Sequence, residues 1–599
     1  MSDLKRDNIQ NEYILKILDT IEPYQIETTK SGNKTFSINN IAINSKYDPI
    51  KEADKLFENF KEKIDETDVL ILYGNGAGYF FKKCYEYISA LNKKPYILFI
   101  EKDIRIFRTL LSIIDISQYI NDEKVKFFID AEKELIGSFL QQIPTKRIKY
   151  YNHRPTYFLN EKYYRELQNH LEYILDRKDM NNATFSKFQR LWNKNIIYNS
   201  LNIDKYQSIN NLKQICSGCT AIVVAGGPSL DATIDWIKEH NDKLIVVAVD
   251  TVVSVLKKNN IQIDIIVSVD PQYWNYKYLE NIKIENEILV TDISTYHKIL
   301  MKFQADHIFI PDSIFPMGKY FQGNKSYGVF GTGGSVATTA FDIARIIGAD
   351  QIIIAGLDLS FPNRHTHFKG AFFENNFLYL QTYFDTAETR AYQYLAHIDM
   401  LPVKYNDGRI VSSDQKMFLF KKWFDREIPL SSQKVYMFKS CGISIDGINN
   451  IEKSNLLLHN ITKKITLSKI DINQNEPRNP NFKIKYLLDS CKSIKVECLK
   501  LLSLIPEKST FEKIDINSIE KIEKRLFENP DLKIAVDILS SAAQDILLSI
   551  REEYEFDDSP IKSLWLKTRA MYNAISELAD YFSVILLKVL NKTNKVTDN

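Results

Sequence analysis

The chain has 599 residues, of which 44% are hydrophobic and 12% aromatic, and this suggests about three or four domain-sized units with buried cores. Its 78 Lys and Arg against 76 Asp and Glu leave a formal charge of +2, so no whole-molecule field favours nucleic acid or an anionic membrane. No segment approaches the roughly 20 apolar residues of a membrane span, and the N-terminal residues show no apolar signal-peptide core. We therefore expect a multidomain cytoplasmic protein that binds no nucleic acid.

The first 150 residues divide into two parts. Residues 1–50 show helical periodicity from Ile9 to Leu18 and then short alternating strands, which predicts an N-terminal module without its own core. Residues 51–150 predict a β-α-β-α-β unit, a Rossmann-like domain. Glycines in its first turn and an acid at the end of its second strand resemble a nucleotide-binding fingerprint. These residues are Gly74, Gly76, Gly78 and Glu101.

That glycine-rich turn also has a purely structural interpretation. A tight connection between a strand and a helix needs glycine whether or not a ligand binds. No further catalytic constellation follows within residues 51–150, so we favour the structural interpretation. Methyl transfer from S-adenosylmethionine is a further hypothesis that rests on this turn alone.

A helical connector over residues 151–215 leads to a second α/β unit, predicted over residues 216–450. Six β-branched runs alternate with helix-length segments, which is typical of a mostly parallel sheet. They are "AIVVA", "LIVVAVD", "IDIIVSVD", "ILVTD", "HIFIPD" and "QIIIAGLD". In open α/β sheets, ligands bind at the carboxyl edge of the strands. The acids that end five of these runs are Asp250, Asp270, Asp292, Asp312 and Asp358.

The end of the chain has a different character. Pro, Asn and charged residues replace apolar periodicity over residues 471–482, which predicts a linker. Over residues 483–595, apolar residues at three- and four-residue spacing predict an amphipathic helical bundle, with a partner-binding surface as the alternative use of its apolar faces. The fold class is therefore α/β, with two Rossmann-like parallel-sheet domains and a C-terminal α-helical bundle.

One turn in the central unit has the composition of an anion site. Gly226, Gly227, Pro228 and Ser229 follow a buried strand and precede apolar residues at helical spacing. Glycine permits unusual backbone conformations, and Pro fits the first turn of a helix. Free N–H groups at a helix N-terminus suit a phosphate. A tight connection in which Ser229 is only the helix cap explains the same residues equally well.

Cys216 and Cys219 form a Cys-x-x-Cys pair in the same unit. A structural zinc site needs further ligands at matching spacing, and the remaining cysteines do not supply them. We interpret the pair as ordinary reduced thiols, and we expect no bound metal.

Three stretches together carry a resemblance to a known family. They are "VVAGGPSLD", "VSVDPQYWN" and "GTGGSVATTAFDIARIIGADQIIIAGLDLSFPNRHTHFKG". This set, over about residues 190–450, resembles the motility accessory factor (Maf) glycosyltransferases, whose core is similar to archaeal pterin diphosphokinases and to a bacterial sialyltransferase family. The sialyltransferases have a Gly-x-Gly-Pro-Ser-Leu turn, in which Gly227 matches the second Gly and Ala225 replaces the first. After the Gly-x-Asp strand end, Leu359 stands where they have a Tyr.

The resemblance implies a function. Maf proteins are implicated in attaching nonulosonic acids, of the pseudaminic or legionaminic type, from CMP-activated donors to Ser or Thr of flagellin. We expect this chain to do the same in flagellum assembly, with flagellin and the CMP-sugar as its partners and without a cofactor. The sequence has no Asp-x-Asp pair of the kind that holds the cation in many metal-dependent glycosyltransferases. Because a folded acceptor needs a wide contact surface, the C-terminal bundle is expected to help recognise it.

The segment after the last predicted strand supplies the catalytic candidates. Two His, one Arg and one Lys fall within six residues there. A His can take the proton of a Ser or Thr hydroxyl that attacks the sugar. His367 matches the Maf "Thr-His" motif and is preferred to His365, although both are also explained as solvated loop residues. Arg364 and Lys369 are candidates for pairing with the donor's carboxylate or phosphate.

The remaining donor-binding candidates lie at strand ends and a helix start. Asp250 and Asp270 are candidates for contacts with ribose or cytosine, and Asp358 for the same rim. Gly334 and Ser335 begin a helix whose N-terminus suits a second anion, although capping alone explains Ser335 equally well.

Two alternatives to the transferase remain. One is a Mg-dependent pterin or nucleotide diphosphokinase, and the other is a non-enzymatic flagellin-binding export factor.

Overall fold

A computed structural model describes residues 20–65, 67–91, 94–143, 147–331, 333–438, 441–456, 458, 480–505, 515–553 and 560–597. The chain divides into two compact units, Met1–Asn181 and Asn182–Asn599. The helix predicted from Ile9 to Leu18 and most of the predicted linker lie outside the described residues. Among the described residues, no helix is long and apolar enough to cross a membrane.

The N-terminal unit contains two sheets in its described part. An antiparallel sheet has the order β1-β2-β3, and a parallel sheet has the order β6-β5-β4-β7. The strands are β1 (Ile26–Thr28), β2 (Lys34–Ile38), β3 (Ile41–Ala42), β4 (Val69–Tyr73), β5 (Tyr96–Glu101), β6 (Val125–Ile129) and β7 (Ile148–Asn152). The helices are α1 (Pro49–Glu58), α2 (Lys61–Asp65), α3 (Tyr79–Ser89), α4 (Ile104–Leu111), α5 (Ser117–Ile120), α6 (Lys133–Gln142) and α7 (Arg154–Leu159), and α8 (Glu161–Asn199) leads onward.

The parallel sheet of this unit forms because its central strands are apolar on both faces. Successive side chains of a strand point to opposite faces, and Leu70 and Leu72 pack in one core while Val69, Ile71 and Tyr73 pack in another. A strand covered on both sides needs a continuous apolar run. This is why "DVLILY" was readable as a strand from the sequence.

The second unit is built on a nine-stranded sheet among the described residues. Its order is β18-β17-β14-β9-β10-β11-β12-β13-β8, and all its strand pairs are parallel. The strands are β8 (Gln207–Ser208), β9 (Thr220–Val224), β10 (Leu244–Val249), β11 (Ile265–Ser268), β12 (Ile288–Thr291), β13 (Ile308–Ile310), β14 (Gln351–Ala355), β17 (Lys434–Phe438) and β18 (Asn449–Ile451). A separate antiparallel hairpin joins β15 (Leu401–Lys404) to β16 (Ile410–Ser413).

Helices cover the faces of this sheet and continue beyond it. Those up to residue 427 are α9 (Ile234–Glu239), α10 (Val253–Lys258), α11 (Tyr273–Leu279), α12 (His297–Leu300), α13 (Pro316–Gln322), α14 (Val336–Ile346), α15 (Phe372–Leu380), α16 (Ala387–Ala396) and α17 (Gln415–Glu427). The C-terminal helices are α18 (Pro480–Leu504), α19 (Ile516–Phe527), α20 (Pro530–Glu553) and α21 (Pro560–Thr597). The predicted α/β class, with parallel sheets and a helical C-terminal region, is confirmed.

The predicted boundaries differ from the structure in two places. Residues 148–152, at the edge of the predicted connector, form the edge strand β7 of the N-terminal parallel sheet. Residues 207 and 208, inside that connector, pair with β13 as the edge strand of the large sheet. A two-residue strand carries no readable period, because at least four residues are needed to see alternation.

The C-terminal helices are not a separate compact unit, although residues 483–595 were predicted as a domain. Within the second unit they pack on the sheet-bearing part: Lys483 donates to the Tyr320 carbonyl over 2.8 Å, and Gln189 donates to the Ser541 carbonyl. The Arg190 guanidinium lies over the Tyr581 ring, 5.9 Å from its centroid. Leu578, Phe582 and Ile585 are buried. The bundle is therefore part of the central core.

Candidate active site

We call the space at the carboxyl ends of β9, β10 and β14 the crevice, because the strand order reverses there. The chain runs from β9 through β10 toward one edge of the sheet and then returns to place β14 on the other side of β9. This reversal is the topological switch point at which open α/β sheets bind ligands. The segments that follow the three strands are residues 225–229, residues 250–252 and residues 356–369. Most of the predicted site residues lie on these segments.

The amides of the Gly-Gly-Pro-Ser turn are largely used inside the protein. The Gly227 N–H donates to the Gly356 carbonyl over 2.7 Å, and the Leu230 N–H donates to the Gly227 carbonyl over 3.1 Å. The Ser229 N–H donates to the Asp358 carboxylate over 2.9 Å. A phosphate was one of two interpretations of this turn, and these three amides already have partners inside the protein.

The helical segment after this turn is also shorter and less regular than expected. Residues 228–232 form a short 3₁₀ helix, and α9 begins only at Ile234 and has six residues. The partial charge at a helix N-terminus comes from aligned peptide dipoles, and two short elements align few of them. The structure therefore supports the tight-connection interpretation for Gly227, Pro228 and Ser229.

Asp358 ties the turn to its neighbours. One carboxylate oxygen accepts from the Ser229 N–H, and the other accepts from the Tyr405 hydroxyl over 2.6 Å. The Ser229 hydroxyl is buried beside this carboxylate, but no hydrogen bond of good geometry joins them. Burial raises the pKa of Asp358, against the lowering effect of the Tyr405 and Ser229 hydrogen bonds. This carboxylate holds the loops together, and each of its oxygens already accepts a hydrogen bond.

Gly226 differs from Gly227 because it faces the crevice. A Cβ on Gly226 would lie 2.8 Å from the Thr251 hydroxyl and 3.7 Å from the His367 ring. Its carbonyl accepts from the Phe368 N–H over 3.2 Å, while none of the hydrogen bonds among the described residues uses its N–H. The turn therefore brings one glycine backbone against the predicted catalytic histidine.

His367 belongs to a short hydrogen-bonded chain with Thr366 and Glu374. The Thr366 hydroxyl donates to the Glu374 carboxylate over 2.9 Å, and the same hydroxyl oxygen lies 3.1 Å from His367 Nδ1. A hydroxyl has one hydrogen, and a carboxylate only accepts. Nδ1 must then carry the hydrogen that it shares with Thr366, which leaves the ring lone pair on Nε2.

Two environmental effects act on the imidazole. Burial lowers the pKa of His367 below its ordinary 6.5, and the charge of Glu374 raises it in part. A neutral ring at neutral pH has a lone pair that can accept a proton. The Thr366 and His367 N–H groups also donate to Glu374, each over 3.3 Å. The helix α15, which carries Glu374 in its first turn, therefore fixes both the ring and its backbone.

The other charged residues of this loop lie outward. Arg364, His365 and Lys369 are exposed, and the Lys369 N–H donates to the Asp231 carboxylate over 3.1 Å. Leu359, Asn363 and Arg364 have positive φ angles of 47°, 53° and 63°. Such angles are uncommon for residues other than glycine and concentrate at functional loops. Within this loop, hydrogen bonds to Thr366 and Glu374 therefore fix His367, whereas His365 is exposed to solvent.

Two predicted acids lie near the same rim. Asp250 is buried and accepts from the Ser268 hydroxyl over 2.6 Å and the Asn275 amide over 3.0 Å. Burial raises its pKa to about 6. Its second oxygen has no hydrogen-bond partner of good geometry among the described residues. Asp270 accepts from the Gln272 N–H over 2.8 Å; burial raises its pKa, and the charge of Lys416 opposes this.

Asp292 and Asp312 have local partners. The Asp292 carboxylate accepts from the Ser294 N–H over 2.7 Å, and the Asp312 carboxylate accepts from the Tyr327 N–H over 2.6 Å. Both are typical of carboxylates that brace a loop after a strand. Among the described residues, Asp250 is the strand-end acid that keeps a buried oxygen without a hydrogen-bond partner of good geometry.

Gly334 and Ser335 form the start of α14, as predicted. Gly334 has a φ of 86°, and the Ser335 hydroxyl accepts from the Ala337 N–H over 3.3 Å. Four residues separate the end of this helix from the start of β14, so its N-terminus lies toward the carboxyl edge of the parallel sheet. Ser335 is thus the cap, which is the simpler of its two interpretations.

The glycine-rich turn of the N-terminal unit is filled by the protein's own side chains. A Cβ on Gly74 would lie 2.3 Å from the Thr156 hydroxyl, and one on Gly76 would lie 2.7 Å from the His153 ring. The Asn44 side chain accepts from the Ala77 N–H over 2.9 Å. Glu101 accepts from the Asn75 N–H over 3.1 Å, so it is not available for ribose. Gly78 has a φ of 83°, and these contacts favour the structural interpretation of the turn.

Three functional candidates were missed in the sequence: Thr251, Thr366 and Glu374. Thr366 precedes His367 directly, and Glu374 is a first-turn acid of the next helix, a position that usually indicates only a favourable charge for the helix N-terminus. Thr251 reaches the site because β10 is the neighbour of β9.

Among the described residues, no group of three or more His, Cys, Asp or Glu could hold a metal ion. Cys216 and Cys219 are buried and form no disulfide.

Comparison with known proteins agrees with this architecture. Residues 194–364 match the family model described as "6-hydroxymethylpterin diphosphokinase MptE-like". The structure of a Maf glycosyltransferase from Magnetospirillum magneticum AMB-1 superposes over 98% of this chain and 97% of its own, with a TM-score of 0.56 and 13% identity. The two findings bear out the resemblance to the Maf and MptE-like proteins, and at this identity the superposition shows the fold.

Curated relatives occur in Treponema pallidum (strain Nichols), and they are uncharacterised. One is 26% identical over 226 residues, which is 32% of this chain and 57% of the relative. Another is 23% identical over 224 residues, which is 37% of this chain and 75% of the relative. The chain thus spans a little over half the length of the first of these relatives.

Proposed function

We propose, for a chain that has the fold of a Maf glycosyltransferase and an MptE-like central segment, that it transfers a sugar from a nucleotide-activated donor to a protein hydroxyl. The single observation that carries this proposal is the Glu374–Thr366–His367 chain beside Gly226. The MptE-like match ends at residue 364, so this catalytic group lies outside it. A group that accepts the proton of the acceptor hydroxyl is what a transferase needs.

The reaction assigns one task to each group. His367 Nε2 takes the proton of the acceptor Ser or Thr hydroxyl as its oxygen forms a bond to the anomeric carbon. The bond from that carbon to the donor phosphate oxygen breaks, and the electron pair leaves with the nucleoside monophosphate. Thr366 and Glu374 hold the imidazole in the required tautomer and stabilise its protonated form, as an orienting acid does in other catalytic chains.

The donor side of the crevice supplies polar contacts at the rim. The buried Asp250 oxygen without a good partner suits an amino or hydroxyl hydrogen of the donor, because an unmet buried acceptor is costly. The backbone of Gly226 allows close approach of the donor phosphate. Arg364, Lys369 and the N-terminus of α14 at Gly334 and Ser335 lie on the same sheet edge and suit the donor's negative charge.

The finer substrates follow from the family resemblance. We propose a CMP-activated nonulosonic acid of the pseudaminic or legionaminic type as donor, and Ser or Thr of flagellin as acceptor. This reaction would belong to flagellum assembly in the cytoplasm.

Intact-mass analysis tests the proposal. Flagellin co-expressed with this chain and a nonulosonic acid pathway should gain the mass of one sugar per site, and the His367→Ala chain should give unmodified flagellin. Unmodified flagellin with the wild-type chain would refute the activity. A His367→Ala chain that retains the full biological effect would favour a non-enzymatic flagellin-binding factor.

The second candidate is a Mg-dependent diphosphokinase, which the name of the matching family model favours. It would use the rim acids Asp250 and Asp270 to hold Mg²⁺ with ATP phosphates. We expect sugar transfer to survive EDTA, because the proposed stabilisation comes from backbone and basic groups. Pyrophosphate transfer from ATP that EDTA abolishes and Mg²⁺ restores would favour the kinase instead.

A further inference from the structure

Two short helices next to the site expose an unusual amount of aromatic surface. We define the aromatic hairpin as residues 372–396, which comprise α15, a turn and α16. Tyr379, Tyr383 and Phe384 are 85%, 91% and 92% exposed. Further exposed apolar side chains on this hairpin are Leu378, Leu380, Tyr392 and Tyr394. Single exposed apolar residues are ordinary, but a contiguous set marks an interaction site.

The turn of the hairpin is braced by polar contacts. The Thr382 N–H donates to the Asp385 carbonyl over 2.9 Å, and the Asp385 carboxylate pairs with Arg390 over 2.6 Å. The Thr386 hydroxyl caps α16 by accepting from the Thr389 N–H. The Tyr383 and Phe384 rings meet edge to face, with centroids 5.1 Å apart. The two rings are therefore presented outward by an ordered turn.

The hairpin is continuous with the catalytic group. Its first helix carries Glu374, which holds Thr366 and His367. At the same end, the Phe372 ring lies 5.8 Å from the Tyr278 ring and 6.4 Å from the ring of Trp274, which is 55% exposed. An apolar surface thus begins at the rim of the crevice and continues along the hairpin.

The charge of the hairpin narrows the choice of partner. Between residues 372 and 396 the charged side chains are Glu374, Asp385, Glu388 and Arg390, so three acids against one base leave a net charge of −2. Nucleic acids and anionic lipid surfaces select basic patches. Aromatic side chains with few charges are typical of the centre of a protein interface.

We infer that the aromatic hairpin binds the acceptor polypeptide, through apolar side chains of the acceptor near the hydroxyl that is modified. This inference rests on the proposed function. It assigns acceptor recognition to an element that also positions the catalytic base, so a bound acceptor lies beside His367. The C-terminal helices, for which the sequence suggested this role, use part of their surface to pack on the rest of their unit.

Kinetics with a paired-residue variant tests the inference. Tyr383→Ser/Phe384→Ser changes two almost fully exposed side chains, so the fold should be unaffected. Met301→Ser/Leu430→Ser, which changes residues that are 77% and 73% exposed elsewhere in the same unit, is the matched control. Transfer is measured against acceptor concentration, and release of sugar to water is measured without acceptor. We expect the hairpin variant to raise the acceptor KM by about tenfold or more, with CMP affinity and release to water unchanged.

The other outcomes separate the inference from the function on which it rests. An unchanged acceptor KM in the hairpin variant, with a wild-type chain that transfers sugar, would overturn the inference and leave the proposed function intact. If the acceptor KM is unchanged but the hairpin variant has a different mass by light scattering, the hairpin serves self-association and the inference is overturned. If the acceptor KM is unchanged but the variant no longer binds phosphatidylcholine vesicles, the hairpin binds a membrane and the inference is overturned. A wild-type chain that neither transfers sugar nor releases it to water would refute the proposed function, and the inference with it.

Discussion

His367 acquires its chemistry from two neighbours that are unremarkable as residue types. Thr366 has a single hydroxyl hydrogen, and its donation to Glu374 determines that the imidazole donates from Nδ1. His365, two positions earlier, is exposed and has no such support. The preference for His367 over His365 therefore has a physical basis in hydrogen-bond direction.

We expect the catalytic rate to depend on the protonation of His367. His367→Ala should lower kcat/KM for transfer by about 10²- to 10⁴-fold, whereas His365→Ala should leave it within about twofold. Because burial lowers the pKa of His367, the acid limb of the pH profile of kcat/KM should have its midpoint below pH 6.5. Glu374→Gln removes the charge that raises this pKa, so its acid limb should move to still lower pH. A limb that stays in place in Glu374→Gln would contradict the assignment of the base.

Alanine substitutions at the two glycines of the central turn should affect different properties, stability at Gly227 and CMP binding at Gly226. A Cβ on Gly227 would lie 2.2 Å from the Asp358 carboxylate and 2.6 Å from the Gly356 carbonyl, so Gly227→Ala should destabilise the fold by about 1–3 kcal/mol. At Gly226 the close neighbour is the Thr251 hydroxyl, which can rotate. Gly226→Ala should therefore fold normally and weaken CMP binding by about tenfold, the equivalent of one charge-assisted hydrogen bond.

Calorimetric titration with CMP and thermal unfolding of both variants distinguish these effects. Gly227→Ala with an unchanged Tm would show that the close approach to Asp358 is relieved at no cost. Equal CMP affinity in a folded Gly226→Ala protein would place the donor phosphate elsewhere.

At the scale of elements, the same strand–turn–helix pattern has two outcomes in this chain. In the central unit, the turn after β9 opens beside Thr251 and His367. In the N-terminal unit, the turn after β4 is closed by Asn44, His153 and Thr156. Both turns are glycine-rich and both are contacted by residues distant in sequence, so the local sequence does not distinguish them.

The closed turn predicts an unusual pH dependence for the N-terminal unit. Burial lowers the pKa of His153 to about 4 and raises the pKa of Glu101 to about 7. The His153 contribution to stability is present above pH 6.5 and is lost as the pH falls toward 4. The Glu101 contribution is present below about pH 4.5 and is lost as the pH rises toward 7. The two slopes therefore offset one another between about pH 4.5 and 6.5.

Glu101→Gln should remove one of these slopes. Relative to the wild-type protein, the variant's N-terminal unit should lose on the order of 3 kcal/mol more of its unfolding free energy between pH 6.5 and pH 4. All five tryptophans follow residue 181, so tryptophan fluorescence does not report this unit. Hydrogen exchange of β4 and β5 amides, corrected for intrinsic rates, is the suitable measurement. Parallel pH slopes in the two proteins would contradict the shifted Glu101 pKa.

At the scale of the whole molecule, the C-terminal helices pack on the rest of the second unit. Lys483 and Tyr320 exchange hydrogen bonds, with the Tyr320 hydroxyl donating to the Lys483 carbonyl over 3.2 Å. The Lys592 ammonium lies over the Tyr198 ring, 5.5 Å from its centroid. These contacts join the bundle to α8 and α13. A bundle held in this way stabilises the sheet-bearing part of the unit.

Truncation near Gln474 should therefore destabilise the protein. Removal of the bundle exposes apolar surface that it buries on α8 and α13, so we expect the Tm to fall by about 10 °C or more, with loss of solubility. Differential scanning calorimetry and size-exclusion chromatography of the shortened chain measure this. A monomeric shortened chain with the full-length Tm would show that the bundle is dispensable and would return it to the role of acceptor-binding module.

The sequence by itself determined the class of the fold and indicated the candidate site along the chain. The six apolar runs of the central unit are strands β9 to β14, because buried parallel strands require continuous β-branched residues that are readable locally. The charged loop with His367 was visible for a similar reason, since four titratable residues within six positions are a local pattern. Edge strands as short as β8 carry no such pattern.

Only the tertiary structure decided which candidate side chains already have partners inside the protein. Asp250 and Asp358 both follow buried strands in the sequence, yet one keeps a carboxylate oxygen without a good partner and the other is bonded through both oxygens. The partner that occupies Asp358 is Tyr405, 47 residues away. Hydrogen bonds between segments distant in sequence depend on how the sheet orders its strands, and local periodicity does not encode that order.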